Sequence, residues 1–361
     1  MVYSGSEDEA IGVVRDLLIR AERVGASDVH IQMLEDVAQV SFRLDGLMSP
    51  METLPDKVSD RVFGRIKYLA KLKTYQDALP QDGRIGKGDV GTINDVRVST
   101  YPTVTGEKVV LRFFPENIQT IESLAFSEEA RLVLEEFFQL KSGLLLLTGP
   151  AGSGKTTTIY AGLRHLAEQG GKHIITVEDP VEQIVKGVMQ TEINEARGLT
   201  FAKAARHLMR QDPEVLVIGE VRDDETAQIA VRAALTGHLV ISTLHAGSCQ
   251  GVLERLMLMC PDNYAVLSSL TLVANQRLVR RLCKSCEGKG KGKGCEDCLE
   301  TGYKERTPLL EWAALDDEVR ARIRKNGAAE LKPTKTMREF AEELVKLKVT
   351  DKAELDRTLG S

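Results

Sequence analysis

The sequence predicts an α/β fold, on three observations. From Leu144 onward, short β-branched or leucine-rich runs alternate with helix-forming stretches, the pattern of a parallel sheet covered by helices on both faces. The first run, residues 144–147, leads into Gly149-Pro150-Ala151-Gly152-Ser153-Gly154-Lys155-Thr156, which fits G-x-x-x-x-G-K-[ST] completely. Ahead of it, residues 1–114 read as a small α+β domain.

In that first region Ile11, Val14, Leu18 and Ala21 fall on one helical face, and Gly25 is placed to stop the helix. Val29 and Ile31, then Val40, Phe42 and Leu44, alternate as strands before an Asp45-Gly46 turn. Val58, Val62, Ile66 and Leu69 mark a second amphipathic helix. Residues 83–85, 92–99 and 108–113 read as short β segments. Residues 115–126 read as a linker, and 127–140 as a helix entering a second domain that extends to residue 361. There, residues 174–177, 215–218 and 239–243 are apolar strands, with helices expected at 156–168, 200–210 and 224–235. Beyond residue 250 the pattern is expected to be mostly helical, interrupted by a cysteine-rich segment and closed by an amphipathic tail around Phe340, Leu344 and Leu347.

At 361 residues, 42% apolar and 28% charged, the chain has the composition of a globular protein of two domains. A net charge of −5 does not imply a polyanionic partner, although it leaves room for local basic patches. Residues 1–10 are polar and acidic, unlike a signal peptide, and no apolar run approaches the ~18–20 residues of a membrane span. A cytoplasmic protein, peripheral to a membrane at most, is expected. Six cysteines in a chain of this length do not suggest a secreted disulfide scaffold. No internal repeat is visible.

The loop is built to hold a nucleoside triphosphate. Its backbone N–H groups, from Gly149 through Thr156 and Thr157, can close around phosphate oxygens, and the helix beginning near Lys155 directs its positive end at them. Lys155 would bridge the β- and γ-phosphates, and Thr156 would offer its hydroxyl to Mg²⁺. Val215-Leu216-Val217-Ile218-Gly219-Glu220 is an apolar strand ending in a carboxylate, as a Walker B segment should be, although Gly219 stands where an Asp is usual. Glu220 is therefore the expected group on Mg²⁺ or its waters. Thr176-Val177-Glu178-Asp179-Pro180 is a second acidic strand end, and Glu178 could polarise the attacking water. The residues alone leave open which of Glu178 and Glu220 is the base. His238 and His245 bracket a third strand, and either could sense the γ-phosphate.

Cys283-Lys284-Ser285-Cys286 and Cys295-Glu296-Asp297-Cys298 pair across a Gly- and Lys-rich spacer. A structural Cys₄ zinc site is expected, with a redox disulfide or an iron–sulfur cluster as alternatives. Cys249 and Cys260 read as ordinary buried thiols.

The ordered blocks GPAGSGKTTT, TVEDPVE, RQDPEVLVIGEVRDDETA and LTGHLVISTLHA resemble the bacterial type II secretion and type IV pilus assembly ATPases, the GspE/PilB group. The resemblance extends through ASDVHI, FRLDG, LPQDGRI, VRVSTYPT and GEKVVLR, and so covers about residues 10–350. It implies a PAS-like first domain, a RecA-like ATPase domain carrying the cysteine module at 283–298, and a hexameric motor that consumes ATP with Mg²⁺. It also implies an inner-membrane platform protein as partner, peripheral membrane contact and no nucleic acid. Arg84, Arg97 and Arg112 match family positions that reach the phosphates on domain closure, and Arg206, Arg210 and Arg222 match others, with Arg306 as a further candidate. Paired C-x-x-C marks the assembly and secretion members. Longer members carry an additional N-terminal recruitment domain.

Other classes fit less well. A RecA-like nucleic-acid motor predicts stimulation by DNA or RNA, against which stand the acidic charge and few aromatics. A small-molecule P-loop kinase leaves the first domain and the cysteines without a use. A GTPase would need an N-K-x-D segment, which the sequence lacks.

Overall fold

The computed structural model describes residues 7–114, 119–290 and 294–360. They divide into two compact units, Met1–Asn117 with Leu282–Glu305, and Ile118–Arg281 with Arg306–Ser361. Of the expected 115–126 linker, residues 115–118 lie outside the described residues, as do 291–293 of the cysteine spacer.

The first unit comprises α1 (Glu7–Arg23), β1 (Asp28–Leu34), β2 (Val37–Leu44), β3 (Leu47–Pro55), α2 (Asp56–Leu69), β4 (Gln81–Ile85), α3 (Lys87–Val90), β5 (Asp95–Thr103) and β6 (Gly106–Phe114). The strands form one sheet in the order β3-β2-β1-β6-β5-β4 with antiparallel pairing throughout. Alternate residues such as Val29, Ile31, Val40, Phe42, Val98 and Leu111 are buried against Val14, Leu18, Val58, Val62 and Ile66 of the helices, so the period of two selects one apolar face. The strand expected from Thr92 begins only at Asp95. Thr92 Oγ1 donates to Asn94 O at 2.8 Å, and the Glu22 carboxylate accepts from the Ile93 and Asn94 backbone N–H groups, which fixes a turn there.

The second unit continues with α4 (Glu128–Gln139), β7 (Gly143–Thr148), α5 (Lys155–Gln169), β8 (Ile174–Glu178), β9 (Val188–Glu192), α6 (Phe201–Leu208), β10 (Val215–Ile218), α7 (Asp224–Leu235), β11 (Leu239–Thr243), α8 (Cys249–Met259), α9 (Asn263–Ser269), β12 (Leu270–Leu282), β13 (Tyr303–Ala314), α10 (Asp317–Asn326), α11 (Met337–Lys346) and α12 (Lys352–Leu359). The sheet order is β13-β12-β7-β11-β10-β8-β9, and the pairs from β12 to β9 run parallel. Leu144 and Leu146 enter one core and Leu145 and Leu147 another. A strand buried on both faces therefore reads as an uninterrupted apolar run. All parallel strands deliver their carboxyl ends to one edge, which is where the phosphate loop lies.

One expectation is corrected, and the contacts of the cysteine segment add a detail. The chain beyond residue 250 is not mostly helical, because β12 and β13 contribute 13 and 12 strand residues. Leu270–Val273 is a short apolar run that periodicity alone does not distinguish from a buried helix. The four-cysteine segment lies in the C-terminal part of the chain, as expected, and its contacts group it with the first unit. Leu299 gives it an apolar foothold on that unit's core, which its Gly- and Lys-rich composition does not reveal.

Candidate active site and cysteine cluster

The loop after β7 is shaped by its glycines and by β12. Gly149 has φ +142°, and a Cβ there would lie 2.3 Å from Gln276 O; Gly154 has φ +87°, and a Cβ would meet Gln276 Nε2 at 2.9 Å. Gln276, 1% exposed, uses the room that Gly154 leaves. Its Nε2 donates to Ser153 O at 2.8 Å and its Oε1 accepts from Thr158 Oγ1 at 2.9 Å, clamping the loop to the first turn of α5. Lys155 Nζ donates to Gly149 O at 2.8 Å and to Pro150 O at 3.1 Å, so its ammonium is folded over the cradle. Burial lowers the Lys155 pKa, with Glu220 opposing the shift and Arg277 adding to it. Thr156 and Thr157 are exposed at the helix start, where the hydroxyl of the first is available to a cation.

Glu178, Asp179, Glu220, Arg222 and His245 gather around Lys155 and Thr156, lining a 190 Å³ cavity. Glu220 lies between a guanidinium and an imidazole. Arg222 Nε donates to its Oε2 at 2.8 Å, and His245 Nε2 lies 2.8 Å from its Oε1. Arg222 also donates to Asp179 Oδ2 at 3.1 Å and lies over the Phe201 ring, joining the two acidic strand ends. Its hydrogen bonds to Glu220 are the main cause raising its pKa. The Walker B departure has a steric reason: a Cβ on Gly219 would come 3.2 Å from Val177 O, and Gly219 N donates to that carbonyl at 2.8 Å.

Glu178 has a different environment, being 7% exposed. Tyr160 donates to its Oε2, Thr176 Oγ1 donates to its Oε1, and Gln190 Nε2 donates to Oε1 at 3.1 Å. All three donors are neutral.

His238 does not join this group. It precedes β11, where Leu239 pairs with Gly143, at the amino end of the strands and opposite the loop. Its Nδ1 lies 2.9 Å from Ala233 O and 3.2 Å from Thr236 Oγ1, closing the end of α7. Arg206 is ion-paired to Glu225, Arg210 lies in the turn after α6 with its N–H donating to His207 O at 3.1 Å, and Arg306 lies on β13.

In the first unit, register places four arginines in one row. Arg84 is opposite Arg97, Arg97 opposite Arg112, Arg112 opposite Asp28, and Asp28 opposite Arg43. Arg84 pairs with Asp95, Arg97 with Asp82 at 3.7 Å, and Arg112 and Arg43 share Asp28 at 2.7 and 3.4 Å. Like charges directly opposite are destabilising, and Asp28, Asp82 and Asp95 stand as counter-ions to the row. Arg43 was not foreseen; its two-residue offset from Ser41 on the polar face of β2 was the available signal. Gln276 and Tyr160 were also missed. An Asn275-Gln276-Arg277 triplet within β12 marks the first, and no local signal marks the second.

The four cysteine sulfurs lie within 4.8 Å of one another. Cys283 and Cys295 Sγ are 4.0 Å apart, and Cys286 and Cys298 Sγ 3.8 Å. Zn–S bonds near 2.3 Å in a tetrahedron require about 3.8 Å between sulfurs, so the set fits such a site. Gly302 N donates to Cys298 Sγ at 3.4 Å, the kind of outer bond that orients a metal ligand. A Cβ on Gly290 would come 2.7 Å from Cys286 Sγ. Burial opposes the Cys283 thiolate, yet backbone N–H groups of Cys286 and Ser285 hold its pKa below the ordinary value. Burial pushes Cys298 up to about 12, and a bound cation would remove that penalty. Burial also pushes Cys249 up to about 12 and Cys260 up to about 11, so both are protonated thiols.

The profile of the family described as Type II/IV secretion system protein matches residues 6–357. The chain belongs to this family. Among its relatives, Type II secretion system protein E of Dickeya dadantii is 40% identical over 348 residues, covering 90% of this chain and 70% of that one. Type II secretion system protein HxcR of Pseudomonas aeruginosa is 41% identical over 326 residues, covering 89% and 69%. Type II secretion system ATPase E of Vibrio cholerae is 39% identical over 343 residues, covering 88% and 68%. In fold, this secretion ATPase is similar to the ATPase DotB of Legionella pneumophila, with TM-score 0.74, 20% identity and coverage of 96% and 95%. It is also similar to the pilus retraction motor PilT, solved with bound ADP, with TM-score 0.65, 25% identity and coverage of 94% and 95%. Among the described residues of the secretion ATPase, no helix is long and apolar enough to cross a membrane.

Proposed function

We propose that this ATPase is a hexameric, cytoplasmic motor at the inner membrane that hydrolyses ATP to drive pseudopilus or pilus assembly through a membrane platform protein. The carrying observation is the convergence of Lys155, Thr156, Glu178, Glu220 and His245 on one cavity at the carboxyl edge of the sheet. ATP would lie with its phosphates in the Gly149–Thr157 cradle under Lys155. Mg²⁺ would be held by Thr156 and Glu220, and when bound it neutralises charge on the phosphates. Glu178, ringed by neutral donors, polarises the water. His245 would report γ-phosphate occupancy to Glu220 across their 2.8 Å contact. Arg210 and Arg222 contribute positive charge, and the row containing Arg84, Arg97 and Arg112 closes on the phosphates from a PAS-like domain, so that occupancy becomes domain movement. His238 takes a capping role instead. The four cysteines hold a structural Zn²⁺, whose four protein ligands leave no open position for chemistry.

Secretion-system partners are supported by the family and by the type II secretion names of its members, and the hexamer and platform protein rest on the resemblance in sequence. The test is hydrolysis and mass of the purified chain with and without ATP, and with and without DNA. ATP hydrolysis by an oligomer, indifferent to DNA, is expected. A strict monomer active only with DNA would overturn the reading.

A further inference from the structure

Resting on the assignment of Glu178 as the water-polarising group, we infer that Tyr160 is the positioning residue that aims it, tying the carboxylate and the loop after β8 to the helix that holds the phosphates. Tyr160 is 4% exposed and follows Lys155 by five residues on α5, so its phenol is fixed to the same rigid element as the cradle. The hydroxyl uses its full capacity. It donates to Glu178 Oε2 and accepts from the backbone N–H groups of Glu182 at 3.0 Å and Gln183 at 3.3 Å. Gln190 closes the arrangement from β9, its Nε2 donating to both Glu178 Oε1 and Gln183 O.

Counting acceptor sites shows what the phenol decides. A carboxylate offers about four lone-pair directions, two on each oxygen. Thr176 and Gln190 take those of Oε1, and Tyr160 takes one of Oε2. The remaining direction is on the oxygen that Tyr160 holds, so the phenol sets where a water can be accepted. Burial, reinforced by the hydrogen bond to Glu178, raises the Tyr160 pKa, and the phenol stays a donor at neutral pH. Glu220, by contrast, is held by Arg222 and His245, and neither of its oxygens is aimed by a group on α5.

The test compares ATP turnover and ADP affinity of the full chain with those of Tyr160→Phe, Glu178→Gln and the double variant. Tyr160→Phe keeps the ring and removes all three hydroxyl bonds. It should lower kcat by about 10- to 100-fold, with KM and the ADP Kd within about twofold of wild type. Because Tyr160 acts through Glu178, the double variant should be no slower than Glu178→Gln alone. Gln190→Met, which frees a site on Oε1 and leaves Oε2 held, should cost less than Tyr160→Phe. Wild-type turnover by Tyr160→Phe, multiplicative losses in the double variant, or a larger loss in Gln190→Met would each overturn the inference and leave Glu178 in place. Wild-type turnover by Glu178→Gln would overturn the Glu178 assignment, and Tyr160 with it.

Discussion

The phosphate-loop edge of the second unit and the arginine row of the first gather charged groups by opposite means. At the phosphate edge most of the recognition is backbone, with one lysine, and the charged side chains are balanced: Arg222 bridges Glu220 and Asp179, and His245 faces Glu220. In the row, four guanidiniums cross neighbouring strands with Asp28, Asp82 and Asp95 as local counter-ions, and Arg84, Arg97 and Arg112 are at least half exposed. The first arrangement positions a ligand, whereas the second holds exposed charge in reserve.

The largest effect should come from breaking the binding half. Lys155→Ala should reduce ATP hydrolysis by about 10²–10³-fold and weaken nucleotide affinity, measured by turnover and by titration with a fluorescent nucleotide. Hydrolysis at the wild-type rate would remove the loop from the active site. A smaller and more local effect is expected from metal removal. Chelation should open the 282–305 segment to proteolysis and lower the melting temperature, with zinc restoring both. An unchanged melt after verified metal loss would leave the sulfur cluster without a structural role.

The smallest effect concerns a buried ion pair remote in chemistry from either half. Glu354 is fully buried and accepts from Arg280 and Arg357 at 2.6–3.0 Å. Burial alone would raise its pKa, but the two guanidiniums hold it at about 2 against an ordinary 4.5. A depressed carboxylate pKa stabilises the fold above about pH 4.5, and that contribution is lost as pH falls toward 2. At ~1.4 kcal/mol per unit the difference of about 2.5 units is on the order of 3.5 kcal/mol. Thermal melts between pH 6 and pH 2.5 should show this loss, and Glu354→Gln should be less stable at pH 6 with a flatter profile across the window.

The contiguous parts of both regions were legible in the sequence. The P-loop, the apolar strand leading to Glu220 and the cysteine pairs carry their chemistry within a few residues. What depends on register or on distant chain was not legible. Arg43 joins the row only because Asp28 stands between it and Arg112 in neighbouring strands. Gln276 reaches the loop from β12, more than 120 residues later, inside a region whose apolar run reads equally as helix. His238 illustrates the converse. The sequence sets it beside a site strand, but parallel strands have two ends, and it stands at the one without the phosphate loop. Leu299 likewise assigns the cysteine segment to the first unit through one apolar contact that composition conceals.

The claim that most needs testing is that the arginine row completes the phosphate site during hydrolysis. The direct measurement is steady-state ATP turnover together with ADP affinity for Arg84→Ala/Arg97→Ala in the full chain. The account predicts kcat lower by about 10²–10³-fold, with ADP affinity within about twofold, because the loop binds and the row acts on the transferring phosphate. Wild-type kcat in that variant would contradict it.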